Sequence, residues 1–217
     1  MYVNINGNSI HYKKSGNGKV LIMIHGNGES LEIFNKSVEI LKDRFTVYAL
    51  DTAGHGKSYK VKQPHYENYA EDVYSFINEL NIEKPILYGF SDGGIIGLIV
   101  AYKHPDLLSK LIISGVNINP GGLKRIVRLG IRIKYMLTHS PETEMMLKEP
   151  NILPDNLFKI TVPTFITAGQ FDVIYYKHIK FIADHIRESK LKVFKNHMHG
   201  SYIVNSDIIA KYILDVI

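Results

Sequence analysis

Two periodicities alternate along the chain. Runs at 20–24, 45–50, 85–89, 111–114, 163–168 and 191–194 are largely apolar and are bounded by glycine or polar turns, as buried strands are. Between them lie stretches with apolar residues three or four apart, for example Val73, Phe76, Ile77 and Leu80. These predict helices over roughly 30–42, 66–80, 92–103, 174–188 and 206–216. Ahead of them, 2–6 and 9–14 flank Asn6-Gly7-Asn8 and read as a polar hairpin. Buried-type strands alternating with helices predict a doubly wound, mostly parallel α/β sheet covered on both faces.

One segment breaks the rhythm. Residues 117–159 combine helical patterning with Pro120, Pro141, Pro150 and Pro154, and they separate two strands that would otherwise be neighbours. This reads as a short helical lid over the carboxyl edge of the sheet. The expectation is a single domain, 1–217, with a lid insertion at approximately 117–159. No internal repeat or low-complexity tract interrupts it.

Composition narrows the class without changing that picture. The 217 residues are 45% hydrophobic and 22% charged, values of a folded globular chain that exclude disorder or a collagen-like repeat. No run of 18 apolar residues is present, so no stable membrane insertion is expected. The first residues, MYVNINGNSIHYKK, lack the basic cluster and apolar run of a secretory signal. Cysteine is absent, which excludes disulfides, thiolate metal sites and cysteine nucleophiles. A cytoplasmic location is the resulting expectation.

Charge adds one local feature. Lys plus Arg is 26 and Asp plus Glu is 21, so the net charge is 26 − 21 = +5, a mild excess with no accompanying nucleic-acid motif. No nucleic-acid partner is expected, and the oligomeric state is left open. Lys124, Arg125, Arg128, Arg132 and Lys134 fall within eleven residues with no acid among them. Leu123, Ile126, Val127, Ile133 and Leu137 interleave with them at helical spacing. Three readings stand: a solvated helix face, contact with an anionic substrate, or contact with a membrane surface.

Candidate chemistry begins at Gly89-Phe90-Ser91-Asp92-Gly93-Gly94, a G-x-S-x-G pattern between a predicted strand and a predicted helix. Such a turn strains the middle residue and lifts its hydroxyl above the sheet edge. The Asp92 backbone N–H then points to where an oxyanion would form. A carboxylate at Asp92 also suits the first turn of the following helix.

Two further motifs join it. Ile24-His25-Gly26-Asn27-Gly28 resembles the HGxG loop of the α/β-hydrolase family, and Asp51-Thr52-Ala53-Gly54-His55-Gly56-Lys57-Ser58 resembles its D-x-x-G-x-G-x-S turn. With the nucleophile turn they run in the family's order, and the resemblance covers nearly the whole chain. It implies a Ser-acid-His triad in that order. Thr167-Ala168-Gly169-Gln170-Phe171-Asp172 resembles the family's acid loop and makes Asp172 the candidate acid. His199, within His199-Gly200-Ser201-Tyr202, is the candidate base on the family's spacing to the last helix, with His197 as the competing candidate. The N–H groups of Asn27 and Asp92 are the implied oxyanion hole.

No cofactor is expected. No metal is expected either, because His197 and His199 have no carboxylate or cysteine near them in sequence. His25 and His55 fall in loops that the resemblance treats as structural, while His11, His65, His104, His139, His178 and His185 read as surface or helix residues. The implied function is a serine hydrolase, a carboxylesterase or thioesterase, that forms an acyl-enzyme on a small-molecule ester-like substrate. Serine at the nucleophile position separates the chain from family members that use aspartate. Competing readings keep the triad for C–C bond cleavage, lyase or perhydrolase chemistry, or make the scaffold a non-catalytic binding protein.

Overall fold

A computed structural model describes all 217 residues. Eight strands form one sheet: β1 (Tyr2–Ile5), β2 (Asn8–Ser15), β3 (Lys19–Ile24), β4 (Phe45–Leu50), β5 (Ile86–Phe90), β6 (Lys110–Ser114), β7 (Thr164–Phe171) and β8 (Ser189–Met198), in the order β1-β2-β4-β3-β5-β6-β7-β8. The β1–β2 hairpin joins β4 in antiparallel fashion, and every pair from β4 through β8 is parallel. The result is an eight-stranded, mostly parallel sheet with helices on both faces, the doubly wound architecture that the sequence predicts.

The side-chain period of a strand explains why both faces are covered. In β3, Ile22 and Ile24 enter the larger core while Leu21 and Met23 enter the smaller one. In β5, Leu87 enters the first and Tyr88 and Phe90 the second. Helices α2 (Tyr66–Glu79), α3 (Asp92–Lys103) and α7 (Tyr176–His185) supply Phe76, Ile99 and Ile182 to the larger core. Helices α1 (Asn35–Leu41) and α8 (Ile208–Val216) supply Leu41 and Ile213 to the smaller.

Between β6 and β7 the chain forms a 3-10 turn, Pro120–Gly122, and helices α4 (Arg125–Thr138), α5 (Pro141–Lys148) and α6 (Pro154–Phe158). Glu149 ties this segment down. Its carboxylate lies 2.6 Å from His65 Nδ1 and accepts the Tyr66 N–H at 3.2 Å, supplying at the α2 N-terminus the acceptor that His65 does not. No helix is long and apolar enough to cross a membrane.

Three elements differ from expectation. The predicted helix over 30–42 is a 3-10 turn, Leu31–Phe34, followed by α1; the Leu31 N–H donates to Asp51 Oδ1 at 2.8 Å, so a tertiary acceptor shapes its start. The helix expected from 174 begins at Tyr176, because Ile174 bridges Leu123 and its N–H donates to Asp172 Oδ1. Strand β8 reads as buried in sequence but is half-exposed, since it has a strand neighbour on one side only.

Leu87 is fully buried in β5, between β3 and β6, so Leu87→Ala should cost about 2–5 kcal/mol. Ile126→Ala, on the exposed side of α4, should stay within about 0.5 kcal/mol. Urea unfolding measures both, and an unmoved midpoint in Leu87→Ala would contradict the interior position of β5.

Candidate active site

The carboxyl ends of the parallel strands share one edge of the sheet, and the site is assembled there. Ser91 follows β5 and caps α3 with φ 51° and ψ −115°, a conformation that L-residues rarely adopt. Two glycines make the turn possible by close approach. A Cβ on Gly89 would lie 2.1 Å from the Gly93 carbonyl oxygen, and one on Gly93 would lie 2.2 Å from the Ile24 carbonyl oxygen. The Ser91 N–H is held by the Ser114 carbonyl at 2.8 Å, which pins the turn to the end of β6.

Asp172 and His199 come from the ends of β7 and β8. Buried Asp172 accepts the Gly169 N–H at 3.3 Å on Oδ2 and the Ile174 N–H at 3.1 Å on Oδ1. His199 Nδ1 lies 2.7 Å from Asp172 Oδ1, and its Nε2 lies 3.1 Å from Ser91 Oγ. A carboxylate only accepts, so Nδ1 carries the proton, and in the neutral ring Nε2 accepts from the serine hydroxyl. The ring rests 5.0 Å from the Phe90 ring, centroid to centroid, and over Gly115, where a Cβ would approach Cε1 to 2.6 Å. His197 instead meets Ser201 Oγ at 3.1 Å. The geometry therefore joins His199, not His197, to Ser91 and Asp172.

The two loops carrying Asn27 and Asp92 are bound to each other. Asn27 Nδ2 donates to Asp92 Oδ2 at 3.0 Å, and the Tyr66 hydroxyl donates to Asp92 Oδ1 at 2.9 Å. The Gly26 N–H is taken by Glu29 Oε2 at 2.9 Å. The N–H groups of Asn27 and Asp92 donate to no other group of the chain. Two free donors thus border the same cavity as Ser91.

Burial dominates the electrostatics around them. It raises Asp92 above the ordinary carboxylate range, against the donors Tyr66 and Asn27. It also raises Glu29, against the Gly26 N–H and the nearby His199. His25 is pushed down to about 4, chiefly by burial, with the Gly26 carbonyl opposing. Its Nδ1 donates to that carbonyl at 2.7 Å, while Nε2 accepts the Thr52 N–H at 3.1 Å. The neutral ring staples the Asn27 loop to the loop after β4.

The cavity, about 280 Å3, runs from Ser91 and His199 toward Leu123, Val127 and Ile131. Of the five cations in the basic stripe only Lys134 lines it, and Glu29, Asp92 and Glu149 face it as well. Sequence reasoning missed Glu29, Tyr66 and Glu149. Their roles arise from contacts across 26 and 83 residues or, for Glu29, from a local turn with no motif of its own. It also misplaced His11, which is buried and bound to Asp51 at 2.8 Å. No group of three or more His, Asp or Glu side chains is arranged to hold a metal ion.

Comparison with known proteins bears on the family and the fold. A family model described as alpha/beta hydrolase fold matches residues 19–130, just over half of the chain. An uncharacterized protein of Mycobacterium tuberculosis is 31% identical over 144 residues, 66% of this chain and 41% of that relative. The chain thus spans well under half the length of that relative. The serine hydrolase BPHL of Homo sapiens is 25% identical over 94% of this chain and 81% of its own length. Among solved structures, an esterase from Exiguobacterium antarcticum superposes with a TM-score of 0.86 at 21% identity, covering 99% of this chain and 98% of that one.

The His25 staple carries a pH dependence of stability. In the unfolded chain a histidine titrates near 6.5, and His25 in the folded chain titrates at about 4. Between these values the unfolded state binds more protons, so the stability is complete above about 6.5 and is lost as the pH falls toward 4. From pH 7.5 to 5 this residue should account for about 2 kcal/mol of lost stability. Urea unfolding of wild type and His25→Gln at both pH values should show a shallower dependence in the variant. Equal slopes would refute a buried neutral His25.

Proposed function

The chain belongs to the alpha/beta hydrolase fold family, and from that premise we propose that it is a serine hydrolase of carboxylic esters or thioesters, acting through Ser91, His199 and Asp172. The observation that carries this reading is a single imidazole within hydrogen-bond reach of both partners, 3.1 Å from the Ser91 hydroxyl and 2.7 Å from the Asp172 carboxylate. The serine hydrolase relative and the esterase fold neighbour fit the same reading.

In the first step His199 Nε2 takes the Ser91 hydroxyl proton as Oγ attacks the substrate carbonyl carbon. The carbonyl π electrons move to oxygen, and the resulting oxyanion is bound by the Asn27 and Asp92 N–H groups. Each such donor is worth about 3–4 kcal/mol in the transition state. Asp172 keeps the Nδ1 proton in place and stabilises the imidazolium. Collapse of the intermediate breaks the bond to the alcohol or thiol, which leaves with the proton from Nε2. Water, deprotonated by the same nitrogen, then attacks the Ser91 ester and releases the acid.

The segment from 117 to 159 serves in this proposal as a lid. Val127 and Ile131 of α4 and Met146 of α5 lend the cavity an apolar wall suited to an acyl chain. The charged groups nearest Ser91 and His199 are carboxyl groups, so the reacting end of the substrate is expected to be uncharged.

The test is hydrolysis of p-nitrophenyl esters of increasing acyl length by wild type and Ser91→Ala, with fluorophosphonate labelling of each. Turnover should fall by roughly 10⁴- to 10⁶-fold in the variant, and the label should be lost with it. Equal turnover in both proteins would exclude Ser91 as the nucleophile. A wild type that neither turns over nor takes the label would overturn the hydrolase reading.

A further inference from the structure

We propose that the outward face of α4 docks on anionic phospholipid bilayers, bringing the cavity beside Ser91 to a lipid surface. The helix has no fully buried residue, and its two sides do different things. Val127 and Ile131 turn inward and line the cavity. Ile126, Leu129, Ile133, Met136 and Leu137 are exposed by 73, 52, 49, 72 and 78%. Their spacings of three, four, three and one place all five on one arc of about 100°. An apolar ridge of this kind facing water marks an interaction surface.

The charge beside the ridge selects its occupant. Arg125, Arg128 and Arg132 form one edge of the arc, and with Ile126 and Leu129 they frame a groove on the outer surface. None of these arginines, nor Lys124 or Lys134, takes part in an ion pair. From Leu107 to Pro141 the chain contains no acidic residue. A second copy docking antiparallel through the same face would bring two unneutralised arginine edges together, which repel, and one docking parallel would leave both edges without an anionic partner. An anionic bilayer answers both halves of the pattern. Lipid phosphates meet the guanidinium groups, and the apolar arc enters the boundary between headgroups and acyl chains. Fourteen residues of helix lie about 21 Å along such a surface. This is docking from one side and needs no membrane-spanning helix.

Cosedimentation of the whole chain with vesicles tests the proposal. One set is phosphatidylcholine alone, and the other contains one-third phosphatidylglycerol. The protein should partition at least tenfold more strongly onto the anionic vesicles, and the preference should fall with added salt. Each cation near such a surface strengthens partition roughly fivefold. The triple variant Arg125→Glu/Arg128→Glu/Arg132→Glu should therefore lose it by about a hundredfold or more. Leu129→Ser/Ile133→Ser should weaken binding about tenfold while keeping the salt dependence. Thermal unfolding checks that these variants remain folded; if the triple variant does not, Arg132→Glu alone should still bind at least about fivefold less. Ser91→Ala should bind as wild type does, so the outcome is independent of the hydrolase reading. Equal binding to both vesicle types, binding to neither, or folded arginine or Leu129/Ile133 variants that bind as wild type would overturn the proposal. So would a concentration-dependent dimer in sedimentation velocity that Leu129→Ser/Ile133→Ser abolishes, since that assigns the face to a second copy.

Discussion

The backbone of Ser91 is the constraint around which the site is built. A non-glycine residue at φ 51° and ψ −115° carries strain of about 1–3 kcal/mol, which persists only where surrounding structure over-determines it. The surrounding structure is visible. The Ser91 N–H is fixed by the end of β6, and the Gly93 backbone presses on the Ile24 carbonyl at the end of β3. The Gly94 and Ile95 N–H groups return to the Ser91 carbonyl to open α3. Relaxing the turn would break contacts with two neighbouring strands and a helix together. The parallel order β3-β5-β6-β7-β8 then determines which other segments can reach the serine: those after β3, β6, β7 and β8.

Two buried carboxylates hold these loops, and they differ in a way that donor count explains. Asp51 loses solvation, but the N–H groups of Leu31 and Lys57 and the His11 ring outweigh that loss and keep its carboxyl below the usual range. It is a charged hub joining the hairpin, the turn before α1 and the loop after β4. Asp92, also buried, has only a phenol and an amide as direct donors, so burial prevails and its carboxyl is raised. The first hub organises the β2–β4 side of the sheet. The second binds the serine turn to the Asn27 loop.

Legibility in the sequence followed the range of the interactions. Strands and helices whose apolar pattern is decided by local period, such as β3, β4, α2 and α3, were readable to within about a residue or two. Ser91, Asp172 and His199 could be named from the motifs that resemble the family's, and the structure brings their side chains within hydrogen-bond reach of one another. What pattern could not supply were contacts between distant segments. The break of the first helix depends on Asp51, twenty residues away, and the burial of His11 on the same carboxylate, forty residues away. The half-exposure of β8 depends on its place at the end of the strand order, which its own composition does not encode.

Helix α4 shows the same limit from the other direction. Its sequence announces an amphipathic helix, and amphipathicity is ordinarily read as one apolar face packed on the core. Here apolar residues lie on two faces. Val127 and Ile131 meet the cavity, while a larger set faces out, and only the placement of the helix between β6 and β7 distinguishes them. The burial of Leu123 just before the helix and of Met145 after it, with the Glu149 tie to α2, fixes the inward side and leaves the outward ridge no partner within the chain. An apolar surface that folding does not cover must be covered by something else or tolerated in water. The arginines beside it give that surface a preference in charge, and the helix that carries it is also a wall of the cavity at Ser91.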